Sequence, residues 1–177
     1  RRNAEILASR LSVHLLPAKN INKWIEEMDT RIESTPSSRD LKKCMINGVA
    51  FHHAGLLLEE RKTIEQAFED GDIRAICSTS TLGAGVNTPA KTVIVCSYKL
   101  WDNRSIPTRD YKNMAGRAGR MKHHDDFGRS LIFANSEKDC EIIWNSYIDA
   151  QPEEVKSQIN KQDNIELSIL GLVASDT

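Results

Sequence analysis

The chain has 177 residues, of which 40% are apolar and 28% are charged, and its formal net charge is −1. This balance is typical of a globular domain and excludes a disordered chain or a uniformly basic nucleic-acid binder, so any phosphate contacts would come from a local patch. No run of 18 apolar residues occurs, so no membrane-spanning helix is predicted.

Four cysteines are present, and no two of them form a C-x-x-C pair. Cys77 and Cys96 lie in apolar runs that are typical of buried strands, which favours buried free thiols over disulfide bonds or zinc ligands. Free thiols persist in a reducing compartment. We therefore expect an intracellular protein, cytoplasmic if the organism is a prokaryote, with no membrane contact.

The first third of the chain is predicted to be helical, because its apolar residues recur at intervals of three and four. The predicted helices cover residues 3–16, 20–33 and 38–46. Ile6, Leu7 and Leu11 share one face of the first helix, which Pro17 is expected to end. The TPSS segment at 35–38 is predicted to be the turn and cap that open the third helix.

From residue 49 onward, short apolar strands alternate with helices. The predicted strands cover residues 49–51, 73–77, 92–97 and 131–133. A charged helix over 56–70, with Leu57, Ile64 and Phe68 inward, separates the first two strands, and Gly71 is expected to end it. Apolar strands separated by helices indicate a parallel sheet buried on both faces. We therefore predict a RecA-like α/β domain with three layers and a mainly parallel sheet.

The chain after residue 136 is predicted to be helical. The predicted helices cover residues 137–149, 152–159 and 165–174. The last of them is apolar and has no evident partner within the chain, so it is interpreted as the start of a following domain. The predicted division is an α/β domain over 1–136 and a helical connector with the start of the next domain over 137–177.

Three segments next to predicted strands are candidates for binding phosphates, because ligands of open parallel sheets bind at the edge to which the strands deliver their loops. The first is FHHAGL at 51–56, where a loop of small residues before a helix exposes backbone N–H groups that suit an anion. His53 would add a side-chain donor. An ordinary strand-to-helix turn with a capping His53 stays open, and zinc is disfavoured because the His52–His53 pair has no third ligand at fixed spacing.

The second segment is TSTLGAGVNTPA at 79–90. Its hydroxyl groups, including that of Ser80, precede Gly83 and Gly85, which would allow a phosphodiester to approach the backbone closely. Asn87 would bond a ribose. On local features alone, a glycine-rich turn into a short helix is an equally good interpretation.

The third segment is NMAGRAGR at 113–120. Arg117 and Arg120 are three residues apart, so on a helix they would share a face, and their small neighbours leave both guanidinium groups unobstructed. Arginine bonds phosphate oxygens bidentately and can stabilise the charge on a γ-phosphoryl group during transfer. The pattern favours a polyphosphate site over two solvated surface arginines.

Taken together, the three segments resemble motifs of superfamily-two helicases of the DEAD/DEAH-box type. The resemblance is to the branch of the archaeal repair helicases and the helicase part of DNA polymerase theta. VAFHHAGL resembles motif IVa, TSTLGAGVNTPA resembles motif V and YKNMAGRAGR resembles motif VI, in the same order and spacing. The resemblance extends from about residue 4 to about residue 175 and implies the second RecA-like motor domain of such a helicase.

The resemblance implies which residues contact nucleic acid. His53, Gly55, Thr79 and Ser80 would lie along the backbone of the bound strand. Single-stranded or forked nucleic acid is the expected partner, and DNA is favoured over RNA only through the resemblance.

The resemblance also implies which residues contact ATP. Arg117 and Arg120 would reach the phosphates as catalytic residues, with Arg120 as the arginine finger. Gly85 and Asn87 would link the nucleotide site to the strand track. Asn113 would lie at the start of motif VI, where this branch usually has the longer amide Gln.

Other parts of a complete motor are expected outside this sequence. It contains neither a G-x-x-x-x-G-K-[ST] loop nor an Asp-Glu pair after an apolar strand, the parts that cradle the β-phosphate and hold Mg²⁺. A preceding RecA-like domain would supply them, and the strand that opens the second motor domain in this branch is expected before Arg1. Residues 163–177 resemble the start of a winged-helix domain. We predict that the chain alone has no ATPase activity.

Two further segments are of interest. Residues 98–107 lie where the resembling branch has a β-hairpin that splits the duplex, with a predicted turn at Asp102-Asn103. Trp101 would stack on the last base pair, although a surface loop whose Trp packs on its own domain is equally open. The HHDD sequence within 121–128 has the composition of a metal site, but a solvated loop is favoured, so no metal site is predicted.

The leading hypothesis is the C-terminal motor domain of a 3′-to-5′ ATP-dependent helicase. The alternative is a non-catalytic nucleic-acid clamp on the same fold, which Arg117 and Arg120 disfavour because a clamp needs no arginine fingers. A different phosphate-handling enzyme on this fold is the third hypothesis.

Overall fold

The computed structural model describes residues 1–31, 35–79, 90–100, 102–119 and 127–151, in which α-helices alternate with short β-strands. The helices are Arg2–Ser12 (α1), Ile21–Arg31 (α2), Pro36–Ile46 (α3), Leu58–Glu69 (α4), Thr108–Ala115 (α5) and Glu137–Ile143 (α6). The strands are Val49–His52 (β1), Ala75–Ser78 (β2), Thr92–Val95 (β3) and Arg129–Ile132 (β4). A π-helical turn, Trp144–Ile148, continues α6, so the helix predicted over 137–149 is confirmed with a different geometry in its last turn.

The described strands form two parallel pairs. Strand β1 pairs with β2, with Val49 opposite Ala75, and β3 pairs with β4, with Thr92 opposite Arg129. Helix α4 makes the crossover within the first pair and α5 lies in the crossover of the second. The parallel arrangement and the α/β class predicted from the apolar runs are therefore confirmed.

The first hydrophobic cluster lies between helices α1 to α4 and the first strand pair. Met28, Leu41 and Ile64 are fully buried there, at 0% exposure. Burial of each such side chain contributes about 1.5–3 kcal/mol to folding. The other buried apolar members are Ala4, Ala8, Ile21, Trp24, Cys44, Met45, Val49, Ala50, Phe51, Leu56, Ala67, Ile73 and Cys77.

Of the three apolar residues predicted to share one face of α1, Leu11 packs against this cluster, but Ile6 and Leu7 do not. Ala4 and Ala8 are buried, whereas Ile6 and Leu7 are 41% and 43% exposed. Small side chains are buried because α1 packs directly on β1. The helix also ends at Ser12, four residues before the predicted end, and the Ser12 hydroxyl donates to a backbone carbonyl of the preceding turn.

Helices α3 and α4 are joined by a buried polar contact at their amino ends. The side chain of Thr35 accepts a hydrogen bond from Ser38 N (3.0 Å), which confirms the predicted cap, although α3 begins at Pro36. Glu60, only 2% exposed, accepts from the Ser38 hydroxyl (2.5 Å) and from Leu57 N (2.8 Å). Leu57 is half exposed because it precedes the helix, so its predicted place on the inner face was wrong.

Helix α4 ends at Glu69 with Asp70 as its C-cap, and the glycine predicted to stop it follows directly. Gly71 has φ +80°, a left-handed conformation that other residues rarely adopt. The next residue, Asp72, accepts from Trp24 Nε1 (2.9 Å) and pairs with Lys23 Nζ (3.1 Å). The hydrogen bond from Trp24, assisted by Lys23, lowers the pKa of Asp72.

A second hydrophobic cluster is formed by β3, α5, α6 and the π-helical turn. Its centre is Tyr147, which is 1% exposed, donates to Ile106 O (2.9 Å) and packs against the ring of Tyr111 at 5.2 Å. The other buried members are Val95, Tyr98, Ile106, Tyr111 and Ile143.

The second strand pair is buried on one face. Ile94 and Leu131, which lie opposite each other, are 51% and 48% exposed, and Phe133 is 57% exposed. Val95 packs into the second cluster from the other face. The prediction that these strands are buried on both faces was therefore wrong for the described residues, because the apolar run does not say how many faces are covered.

All four cysteines are free, as predicted. Cys44 and Cys77 are buried, whereas Cys96 and Cys140 are exposed, so the prediction of a buried Cys96 was wrong. Cys96 follows β3 on its carboxyl side rather than lying within the strand. Burial raises the pKa of Cys77 to about 11, which keeps it a thiol at neutral pH.

Within the described ranges, no helix is long and apolar enough to cross a membrane. The helices predicted over 152–159 and 165–174 lie outside the described residues.

Candidate nucleic-acid and nucleotide interface

The structure describes half of the residues predicted to bind nucleic acid or nucleotide. These are His53, Gly55, Thr79, Asn113 and Arg117. Ser80, Gly85, Asn87, Trp101 and Arg120 lie outside the described residues.

His53 is held inside the domain. It is 3% exposed, its Nε2 lies 3.0 Å from the Glu5 carboxylate on α1, and its Nδ1 accepts from Gly55 N (3.1 Å). Because Nδ1 accepts a hydrogen bond, Nε2 carries the proton and donates it to Glu5. The ring also stacks on Phe51 at 5.6 Å. His53 therefore shapes the loop after β1, and both of its nitrogens are already engaged within the domain.

His52 has a separate carboxylate partner. Its Nε2 lies 2.9 Å from Glu65 Oε1 on α4, and its side chain is almost completely buried. Burial lowers the pKa of His52, and the hydrogen bond to Glu65 opposes that shift. The two adjacent histidines thus tie β1 to different helices. Among the described residues, no three His, Cys, Asp or Glu side chains are grouped so that they could hold a metal ion.

The loops after β1 and β2 meet at the carboxyl edge of their strand pair, as predicted. Thr79 N donates to His52 O (3.2 Å), which places the start of the second segment directly beside the first. Gly55 lies exposed at this edge. A Cβ on Gly55 would lie 3.1 Å from the His53 ring and 3.3 Å from Arg1 Cδ, so the loop has little room for a side chain.

Arg117 lies in a turn rather than on a helix. Helix α5 ends at Ala115 with Gly116 as its C-cap, and Gly119 takes φ +77°. The prediction that Arg117 and Arg120 share a helical face was therefore wrong in its premise, because the glycines end the helix before Arg117. Asn113 lies exposed in the last turn of α5.

The Arg117 turn lies at the amino ends of the second strand pair. Ala90 N, just before β3, donates to Arg117 O (3.2 Å), and Gly119 N donates to Ala90 O (2.8 Å). The expectation that all three segments reach the carboxyl edge was thus wrong for the third one. The third segment lies at the amino ends because a crossover helix returns the chain to the edge of the sheet at which the next strand begins. The end of the second segment, Ala90, contacts the third segment directly.

The described residues on either side of Trp101 in the segment 98–107 pair as a hairpin, as expected. Ile106 N donates to Tyr98 O (2.9 Å), and Lys99 and Ser105 form an antiparallel bridge. Asn103 takes φ +65° in the turn, as is common for asparagine. Arg104 Nε donates to Asp102 Oδ2 (2.6 Å), which closes the tip.

The base of this hairpin is tied to helix α6. The Tyr98 hydroxyl donates to Asp139 Oδ1 (2.5 Å), and this hydrogen bond raises the pKa of Tyr98 and lowers that of Asp139. Asp139 lies in the first turn of α6.

Sequence reasoning missed the carboxylate partners of the two histidines. Glu5 is 48 residues from His53 and Glu65 is 13 residues from His52. No local pattern connects residues so far apart, so only the packing of α1 and α4 against β1 reveals these contacts.

The chain matches a known family of domains. Residues 22–122, more than half of the chain, match the family described as the helicase conserved C-terminal domain. The ATP-dependent DNA helicase Hel308 of Methanocella arvoryzae is 36% identical over 178 residues, which cover 98% of this chain and 24% of that protein. The protein of the same name from Caldivirga maquilingensis is 37% identical over 179 residues, 99% of this chain and 23% of the relative.

A third relative gives the same result. Hel308 of Pyrococcus horikoshii is 36% identical over 181 residues, 99% of this chain and 25% of that protein. The chain thus spans about a quarter of the length of the relatives it matches. The predicted resemblance to the archaeal helicase branch is confirmed.

Proposed function

Because the chain belongs to the family of helicase conserved C-terminal domains, we propose that it is the second motor domain of an ATP-dependent DNA helicase. The family membership confirms the predicted RecA-like α/β fold. The observation that carries the proposal is the similarity over almost the whole chain, at 36% identity, to proteins named ATP-dependent DNA helicases.

In the proposed motor, ATP binds between this domain and a preceding RecA-like domain that holds the β-phosphate and Mg²⁺. Arg117 and Arg120 approach the phosphates from this side, with Asn113, Gly85 and Asn87 around the same cleft. The turn that carries Arg117 is hydrogen-bonded at both ends to Ala90, which supports a fixed backbone position from which the guanidinium group reaches the phosphates. A fixed cation stabilises transferred charge without reorganisation during the reaction.

The proposed strand track runs over the carboxyl edge of the first strand pair. Gly55 and Thr79 lie at this edge, and Ser80 follows directly in the sequence. Because the His53 ring is buried between Glu5 and Gly55, we assign it a positioning role under the track rather than a direct contact with phosphate. Exposed loop backbone suits a sequence-independent grip on phosphates.

We propose the domain division 1–136 and 137–177, with a winged-helix domain following the motor. Alternate closing and opening of the two motor domains would move the track along one DNA strand in the 3′-to-5′ direction. Single-stranded or forked DNA and the neighbouring domains of the same polypeptide are the proposed partners.

The test compares the 177-residue chain with a longer protein that carries this domain between a first motor domain and a winged-helix domain. We expect the longer protein to hydrolyse ATP with Mg²⁺, to be stimulated more by single-stranded DNA than by single-stranded RNA, and to unwind duplexes with a 3′ tail. The 177-residue chain alone is expected to show no turnover. Released phosphate and strand displacement on duplexes with 3′ or 5′ tails are the measurements.

Two results would contradict the proposal. Turnover by the isolated chain would mean that it contains a complete nucleotide site. DNA binding by the longer protein without any ATP hydrolysis would support the non-catalytic clamp instead.

We propose that the hairpin segment 98–107 separates the duplex, with Trp101 stacking on the last base pair. In the longer protein, Trp101→Ala is expected to reduce unwinding to background while DNA-stimulated ATP hydrolysis continues, since stacking contributes about 1–3 kcal/mol per base. Trp101→Phe retains an aromatic face and is expected to keep most of the unwinding. Normal unwinding by the alanine variant would remove this role from the hairpin.

A further inference from the structure

Gly128, which lies just before β4, touches the turn of the third segment backbone to backbone. A Cβ on Gly128 would lie 2.2 Å from Gly119 N, 2.4 Å from Ala118 C and 2.5 Å from Gly119 Cα. From the other side, a Cβ on Gly119 would lie 2.8 Å from Gly128 N and 3.0 Å from Gly128 Cα. All of these neighbours are main-chain atoms, so no side-chain rotation can make room for a methyl group.

This contact completes a clamp around the turn. On one side, Ala90 bonds to both ends of the turn, through Ala90 N to Arg117 O and Gly119 N to Ala90 O. On the other side, Gly128 lies against Gly119, and the following residue is fixed to the start of β3 by the bond from Arg129 N to Lys91 O (2.9 Å). The turn therefore cannot move without displacing the start of β3 or the start of β4.

We propose that Gly128 is a positioning residue for ATP hydrolysis, because its bare Cα seats the turn that carries Arg117. The inference rests on the proposed function. Arg117 lies two residues before Gly119, and Arg120 follows it directly in the sequence. A displacement of about 1 Å in a group that acts on the transition state can cost about 100-fold in rate.

The test uses Gly128→Ala in the longer helicase protein. We expect kcat for ATP hydrolysis to fall about 100-fold, while KM for ATP and Kd for single-stranded DNA stay within about twofold, because the ground-state contacts lie mainly elsewhere. The control is Gly71→Ala, which is matched in backbone conformation to Gly119→Ala, the second variant described below, because Gly128 itself has no positive φ. Gly71 has φ +80°, close to the φ +77° of Gly119, but a Cβ there meets nothing within 4 Å, so this variant carries the backbone strain without the contact. Its kcat is expected to be normal.

Gly119→Ala provides a second variant if Gly128→Ala does not fold. It disturbs the same contact more mildly, since the closest approach is 2.8 Å rather than 2.2 Å. It is expected to lower kcat with a loss of Tm similar to that of Gly71→Ala. If the substitutions act only by destabilising the fold, Gly128→Ala and Gly119→Ala will instead lower Tm and the active fraction together. That result would overturn the positioning role.

Combining Gly128→Ala with Arg117→Ala distinguishes a positioning role of the glycine from structural damage elsewhere in the domain. If the glycine acts through Arg117, its loss in kcat is expected to be much smaller in an Arg117→Ala background than in the wild type. Losses that multiply fully, or a normal kcat for both glycine variants, would overturn the assignment of Gly128. If the unmodified longer protein hydrolyses no ATP, the proposed function fails rather than this contact alone.

Discussion

Replacing Arg120 by alanine in the longer protein is expected to lower kcat for ATP hydrolysis by about 10³-fold or more, the usual effect of removing an arginine finger. Affinity for single-stranded DNA is expected to stay unchanged, because the proposed track lies at Gly55 and Thr79, at the carboxyl edge of the other strand pair. Steady-state phosphate release and fluorescence anisotropy of a labelled DNA strand measure the two quantities separately.

Arg109→Ala serves as the matched control. Arg109 is an exposed arginine in the first turn of α5, with its Nε 3.6 Å from Asp110, and it lies at the opposite end of that helix from the Arg117 turn. Its loss is expected to leave kcat within about twofold, since exposed ion pairs contribute little. Normal turnover by Arg120→Ala would show that the finger is another residue, with Arg117 as the next candidate.

Glu60→Ala is expected to lower the free energy of unfolding of the 177-residue chain by about 3 kcal/mol. The substitution leaves the Leu57 N–H and the buried Ser38 hydroxyl without the acceptor they use now, and it opens a cavity between α3 and α4. Urea denaturation followed by far-ultraviolet circular dichroism measures this change.

Two companion variants identify the cause. Glu60→Gln is expected to lose less than about 1 kcal/mol, because the amide oxygen can accept from Leu57 N while the amide nitrogen donates to the Ser38 hydroxyl. Glu59→Ala removes a half-exposed carboxylate from the same helical turn, and a change of only a few tenths of a kcal/mol is expected. A loss for Glu60→Gln as large as that for alanine would mean that the charge, rather than the two hydrogen bonds, stabilises the junction.

Local patterns predicted the elements well where a residue type has one dominant preference. Gly71 ended α4 because left-handed backbone favours glycine, and Thr35 capped α3 because its hydroxyl reaches a free N–H. The patterns failed to predict which face of a helix is buried. Ile6 and Leu7 were grouped on one face by spacing, but the close approach of α1 to β1 selects Ala4 and Ala8.

The sequence alone determined the family, because three short motifs in fixed order carry chemistry that few other residues can provide. The motif with two arginines among glycines, and the motif with glycines after hydroxyl residues, can be recognised from the sequence without knowing how the chain folds. The sequence also determined the parallel α/β class, since apolar strands separated by helices leave few other arrangements.

Only the tertiary structure decided how the motif residues are held. It buried His53 against Glu5, 48 residues away, and it placed the Arg117 turn at the amino ends of β3 and β4 rather than at the predicted carboxyl edge. It also brought Gly128 against Gly119 with no space for a methyl group. These facts depend on the direction in which each helix returns and on how closely two backbones approach, and neither is encoded in the spacing of residues along the chain.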